Sequence, residues 1–309
     1  MSDRYLTYLN FFETLATLLC IFVTNLFTLN LIRCHYRGKT KYCSIKFRLC
    51  KSLLTYLYSH FVLSLISIPY HVYFILHWDP HGTEVENLTL FYILGIWPNV
   101  YLAMTPLFVS LLAVDRCLAI WLAAHYTGPF RAIVVGVGRT IILLAVVLNT
   151  VIFLLELPLD RSRVAKCETF PCMVLKFRFY PQNLTKIVCF VINFGCSFSF
   201  FALLRRRTAI TGLSKRISDR IVKYTLVLDF LFETLPTIVS SVFIHIVGVP
   251  PNNFIGPYAA LLGMMNAGIC SVLYSRTLLQ RRNGNRAFRR ISIKSNTSLP
   301  LRSLFSSSE

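Results

Sequence analysis

LFYILGIWPNVYLAMTPLFVSLLAVDRCLAIW, residues Leu90 to Trp121, decides the fold. The run is apolar until Asp115 and Arg116, which stand side by side near its end. About 30 residues of helix reach about 45 Å at 1.5 Å per residue. A bilayer's hydrocarbon core is about 30 Å thick, so the stretch is long enough to cross it. An adjacent acid and base neutralise each other locally, which makes their burial at the end of a span tolerable. The plainer reading is an interfacial charge pair that snorkels into the headgroups.

The rest of the chain extends that reading outward. Of its 309 residues, 55% are hydrophobic and only 15% charged, where a soluble domain carries about a quarter charged. Before the quoted stretch, spans are predicted at residues 8–32 and 52–76. After it they are predicted at 132–157, 187–204, 221–247 and 254–274. The expectation is an all-α membrane protein, a bundle of seven transmembrane helices occupying residues 1–275. Residues 276–309 form a basic, serine-rich tail, expected to be disordered beyond residue 290. Few charges precede the first span and no cleavage site follows it, so it reads as a retained anchor.

Net charge is +19. On a soluble protein that would point to nucleic acid; here the placement matters more than the sum. In one orientation 25 of the 32 Lys and Arg residues fall on the cytoplasmic side and 7 outside. By the positive-inside rule the N-terminus is extracellular and the tail cytoplasmic. Two N-glycosylation sequons, at Asn87 and Asn183, fall on the assigned outside,. A third match at Asn296 falls inside and is expected to stay unmodified. Of the ten cysteines, only Cys167 and Cys172 lie in extracellular loops, so they are the disulfide candidate,. Cys117 is juxtamembrane, a plain thiol or a palmitoylation site. No Cys or His spacing matches a metal site, and no cofactor motif occurs.

The predicted sixth span carries Asp229 and Glu233, four apart and so on one helix face,. Pro236 follows and is expected to kink the helix. The plainer reading has both acids inside the bundle, bonded to Asn or Tyr neighbours. No constellation for catalysis accompanies them, and the chain is not expected to be an enzyme.

Seven spans, this orientation and Asp115-Arg116-Cys117 resemble the rhodopsin-like G-protein-coupled receptors, whose third helix ends in Asp/Glu-Arg-Tyr or a variant. Glu233-Thr234-Leu235-Pro236 resembles their sixth-helix Cys-Trp-x-Pro in its proline. Cys270-Ser271-Val272-Leu273-Tyr274 resembles their seventh-helix Asn-Pro-x-x-Tyr in its tyrosine. Phe91 stands where their third-helix cysteine is expected, span two lacks their aspartate, and span four lacks their tryptophan. The chain is most similar to the nematode serpentine chemoreceptors, class BC. Leu228 to Pro236, Asn253 to Tyr258 and the local Cys167/Cys172 pair carry that resemblance. It implies chemosensory signalling through a heterotrimeric G protein at a sensory neuron's plasma membrane, sensory cilium included. It also implies activation by movement of span six about Pro236, with Arg116 freed from Asp115, and coupling residues Asp115, Arg116, Cys117, Pro236 and Tyr274.

A small-molecule cue is expected in the outer half of the bundle. Asn99, Leu102 and Ala103 share a face of span three, roughly 25 Å above Arg116 at 1.5 Å per residue. By depth His71, Trp97, Glu156 and His245 are further candidates. Membrane lipid is the other expected partner. An odorant-gated channel or a seven-span transporter is the alternative. A transporter would often show an internal repeat, and none is seen.

Overall fold

The computed structural model describes residues 2–37, 49–79, 87–122, 125–126, 128–159, 170–174, 176, 180–211, 224–247 and 255–297. Four long helices open the chain: α1 Ser2–Arg37, α2 Lys51–Leu76, α3 Leu88–Trp121 and α4 Gly128–Leu154. A single turn, α5 Phe170–Met173, precedes α6 Tyr180–Thr211. Helical residues 224–229 run into a π-helical segment, Phe230–Thr234, and on into α7 Leu235–Val247. The last helix is α8 Tyr258–Thr297. Among the described residues there is no strand.

Six stretches are long and apolar enough to cross a membrane: Tyr5–Tyr36, Lys51–Leu76, Leu88–Trp121, Gly128–Leu154, Leu184–Leu203 and Tyr258–Thr277. The stretch expected as span six is helical from 224 to 247, but its i→i−4 ladder is broken at the two acids. A π-bulge accommodates an extra residue in a turn and marks functional sites in many helices. Two other boundaries differ from expectation. α6 begins at Tyr180, inside the stretch expected to be a loop, so Asn183 lies within a helix. α8 runs past Tyr274 through the basic tail to Thr297, where disorder was expected from 290.

α3 is the axis of the bundle. Its most apolar window is 61% buried within the protein, against 17% for α4 and for α6. α2, α4 and α6 pack around it, and α1 packs between α2 and α8. Pro98 and Pro106 lie inside α3, and the Pro106 carbonyl accepts from Asn193 Nδ2 at 3.1 Å. The outward faces of α4 and α6 are apolar: Leu143, Leu144, Val191 and Phe198 are all exposed, as lipid contact requires,.

α1 shows the inverted logic of a membrane helix. Its buried residues recur as Thr7, Asn10, Thr14, Thr17, Ile21, Thr24 and Thr28, alternating steps of three and four. That stripe is one helix face, and it is polar. Phe12, Leu19 and Leu26 point outward instead. The threonines satisfy themselves locally. Thr14 donates to the Asn10 carbonyl at 2.7 Å, Thr17 to Glu13 at 2.6 Å and Thr24 to Cys20 at 2.8 Å. Small hydroxyl residues let helices approach closely; Thr28 meets Ser271 of α8 at 3.3 Å.

Candidate functional site

The C-terminal end of α3 is closed by a charge cluster. Asp115 is fully buried. Ser52, in the first turn of α2, donates to its Oδ2 at 2.7 Å, and Tyr126 donates to Oδ1 at 2.7 Å. Arg131 on α4 grips both oxygens, Nε to Oδ1 at 3.0 Å and Nη2 to Oδ2 at 2.8 Å. Such forked pairs are the strong form of a charge-assisted hydrogen bond. The carboxylate thus ties α2, α3 and α4 together. Burial and the neighbouring Asp115 push the Tyr126 hydroxyl above its ordinary range, so it remains a donor.

This changes the role expected of the Asp-Arg pair. Asp115's principal partner is Arg131, and Arg116 Nε stands 3.6 Å from Asp115 Oδ2. Arg116 Nη2 reaches the Cys50 thiol, and the side chain is 12% exposed. Adjacent residues on a helix do not face each other, so the neighbour in sequence loses to Arg131. Cys117 is partly buried and donates to the Cys196 carbonyl of α6 at 3.2 Å, which makes it a packing thiol. Tyr274 is buried, hydrogen-bonded to Thr225 and edge-on to Tyr56.

Midway along the bundle Asp229, just before the π-segment, and Glu233, within it, accept from three side chains. Glu233 accepts from Thr105 Oγ1 at 2.8 Å and from Asn266 Nδ2 at 3.2 Å. Asn193 Nδ2 donates to Asp229 Oδ2 at 3.2 Å, and Ser110 donates to Asn193 Oδ1 at 2.7 Å. The acids therefore face inward onto α3, α6 and α8, as the plainer reading expects. Pro236 is the second residue of α7, so the broken ladder and the missing amide fall together,.

A cavity of about 80 Å³ opens at the other end of α3, among α1, α2, α3, α5 and the start of α8. Of the residues expected to line a pocket, it brings together His71, Asn99 and Leu102. Ala103 is buried elsewhere in the core, and Trp97 does not line the cavity. Glu156 accepts from the Lys176 backbone amide at 2.9 Å, holding the α5–α6 connection instead. The side chain of His245 lies outside the described residues. Phe170 of α5 walls the cavity, and Gly95 makes room for its ring. A Cβ at Gly95 would come within 2.2 Å of Phe170 Cδ2.

Sequence reasoning missed Asn10, Thr14 and Thr17, which line the cavity from α1. The polar stripe of α1 was the signal that could have found them. Cys172 is disulfide-bonded, while Cys167 lies outside the described residues. Asn87 is exposed and caps α3, its Oδ1 accepting from the Leu90 amide at 3.1 Å. Among the described residues no group of His, Cys, Asp or Glu could hold a metal ion.

Long apolar helices, a polar interior and an apolar outer face define a helical integral membrane protein,. No protein-family model and no curated protein matches the chain.

Proposed function

We propose that the chain is a chemosensory G-protein-coupled receptor with seven spans, an outer N-terminus and a cytoplasmic tail, similar to the nematode serpentine receptors of class BC. The observation that carries the reading is the arrangement along α3. A small cavity sits at Asn99, a buried charge cluster at Asp115, and the same central helix joins them over about 24 Å at 1.5 Å per residue,. Between them α3 touches the π-segment through Thr105 and Glu233. A ligand that binds one arrangement of these helices more tightly than the other shifts the population between them. In this reading the latch on the resting state is Asp115 with Arg131, and Arg116 is the coupling residue beside it. Release of α4 from α2 and α3 opens the inner end to a G-protein helix, with movement about Pro236.

The test is guanine-nucleotide exchange in membranes across a panel of small volatile and water-soluble chemicals. Arg116→Ala is expected to abolish exchange at unchanged surface expression. Arg131→Gln is expected to raise exchange without ligand. A second reading, ion-coupled transport, has its own support: a helix interrupted beside two intramembrane acids is a feature of transporters,. Ion flux that survives Arg116→Ala and is lost in Asp229→Asn would replace the receptor reading with that one.

A further inference from the structure

α4 carries a charge that the described residues leave without a counterion. Arg139 is exposed. It lies inside the apolar stretch Gly128–Leu154, about 17 Å of rise beyond Gly128 at 1.5 Å per residue,. Its guanidinium reaches back towards the end where Ser52 and Arg131 hold Asp115, and Nε donates to Thr55 Oγ1 of α2 at 2.7 Å. That bond uses one of five guanidinium protons, and a neutral hydroxyl supplies no countercharge. Among the described residues the ion pairs are those of Asp115, with Arg131 and Arg116. The stretches that join α1 to α2 and α3 to α4, residues 38–50 and 122–127, contain no acid. The surface around Arg139 is open. A Cβ on Gly136, one turn nearer the start of α4, would meet nothing within 4 Å.

Lys51 adds a second cation beside it. It is the first residue of α2 and is exposed. Its carbonyl accepts from the same Thr55 hydroxyl at 3.0 Å. α2 opens with no acid in its first turn and no side-chain cap from Cys50, so the positive end of its dipole meets another positive charge. A charge inside a span is costly until it is paired. An anion from water would have to enter hydrocarbon to reach Arg139, whereas a lipid headgroup lies alongside. α2 and α4 stand side by side against α3, and apolar surface continues from the two cations. Leu143, one turn beyond Arg139, is exposed, and so is Val62, two turns beyond Thr55.

We propose that Arg139 and Lys51 form a binding site for an anionic glycerophospholipid. Its phosphate is held by the remaining guanidinium protons of Arg139 and by the Lys51 ammonium, and its acyl chains lie along Leu143 and Val62. Forked donors suit phosphate oxygens. A zwitterionic headgroup fits worse, since its own cation would meet Lys51. The bound lipid bridges α2 and α4, two of the helices that Asp115 also ties together. The site stands on the membrane fold alone and is independent of the receptor reading.

The test places the full chain in nanodiscs of phosphatidylcholine with a rising share of phosphatidylglycerol. Thermal unfolding reports stabilisation, and native mass spectrometry reports the lipid retained. Phosphatidylglycerol is expected to raise the unfolding midpoint and to be the lipid retained. Arg139→Gln is expected to raise the half-effective share of phosphatidylglycerol about tenfold, the scale of a lost charge-assisted hydrogen bond. Lys51→Gln is expected to move it the same way and serves if Arg139→Gln does not fold. Arg205→Gln removes an exposed charge from α6 and is expected to leave the response unchanged. An equal loss in Arg205→Gln would reveal only the diffuse attraction of basic residues to an anionic surface and overturn the site. So would a midpoint that ignores phosphatidylglycerol, or a response undiminished in both Arg139→Gln and Lys51→Gln. Equal stabilisation by inorganic phosphate in detergent would assign the two cations to a free anion and overturn the lipid.

Discussion

At the C-terminal end of α3 the Asp115 carboxylate receives four hydrogen bonds, from Ser52, Tyr126 and twice from Arg131. In the first helix Glu13 Oε2 receives none. Both acids are buried, so both oxygens have lost water. The difference lies in what the surrounding helices supply. α4 brings a guanidinium to Asp115, whereas no side chain donates to Glu13 Oε2. A saturated carboxylate binds helices to one another. An unsaturated one carries the cost of its lost water without that return.

The largest break in this comparison is Asp115→Ala. It strands Arg131, Ser52 and Tyr126 together. Removing one partner of a buried ion pair costs about 3–5 kcal/mol, and Arg131, 28% exposed, recovers some solvent, so about 3 kcal/mol is expected. A fall in the unfolding midpoint of the purified protein, with Arg131→Ala/Asp115→Ala milder than either single change, would show that the two act as a pair. Additive losses would show that they do not.

Gly95→Ala strikes the outer end. Its Cβ would meet Phe170 Cδ2 at 2.2 Å, forcing the ring off Tyr92, with which it stacks at 5.0 Å. Overpacking of this kind costs about 1–3 kcal/mol, read as a lower unfolding midpoint of the purified protein. Gly256→Ala is expected to cost about 1–2 kcal/mol for its left-handed φ, with further loss from the crowded Asn10 and Glu13 oxygens. Stability unchanged in Gly256→Ala would mean that this turn does not hold the acceptors where they stand. Thr105→Val is the smallest. It deletes one hydrogen bond to Glu233, and interhelical bonds in membranes average about 0.6 kcal/mol; chemical denaturation in detergent would resolve whether the mid-bundle acid depends on it.

Much of the fold was legible because a bilayer imposes one rule on every span. Backbone groups must pair within the segment, so apolar length alone predicts helix. The runs from Leu90 to Trp121 and from residue 52 to 76 read correctly for that reason. Span six was harder. Its residues are as apolar as the others, and hydropathy is blind to a π-turn at Phe230–Thr234. His71, Asn99 and Leu102 were reachable by depth along a helix, since rise per residue is constant. Asn10 and Glu13 were not, because depth does not say which face of α1 meets α8 and which meets lipid.

By itself the sequence determined that the chain is helical and membrane-embedded, and where along it the charges lie. Those are consequences of solvent and chain length. Only the tertiary structure decided how the charges combine. Asp115 keeps Arg116 as an ion-pair neighbour at 3.6 Å but makes its forked hydrogen bonds with Arg131, because packing brings α4 across,. Asn10 Oδ1 and Glu13 Oε2 were left without donors by the same cause: which groups meet is set by how helices pack, and hydropathy carries no record of it.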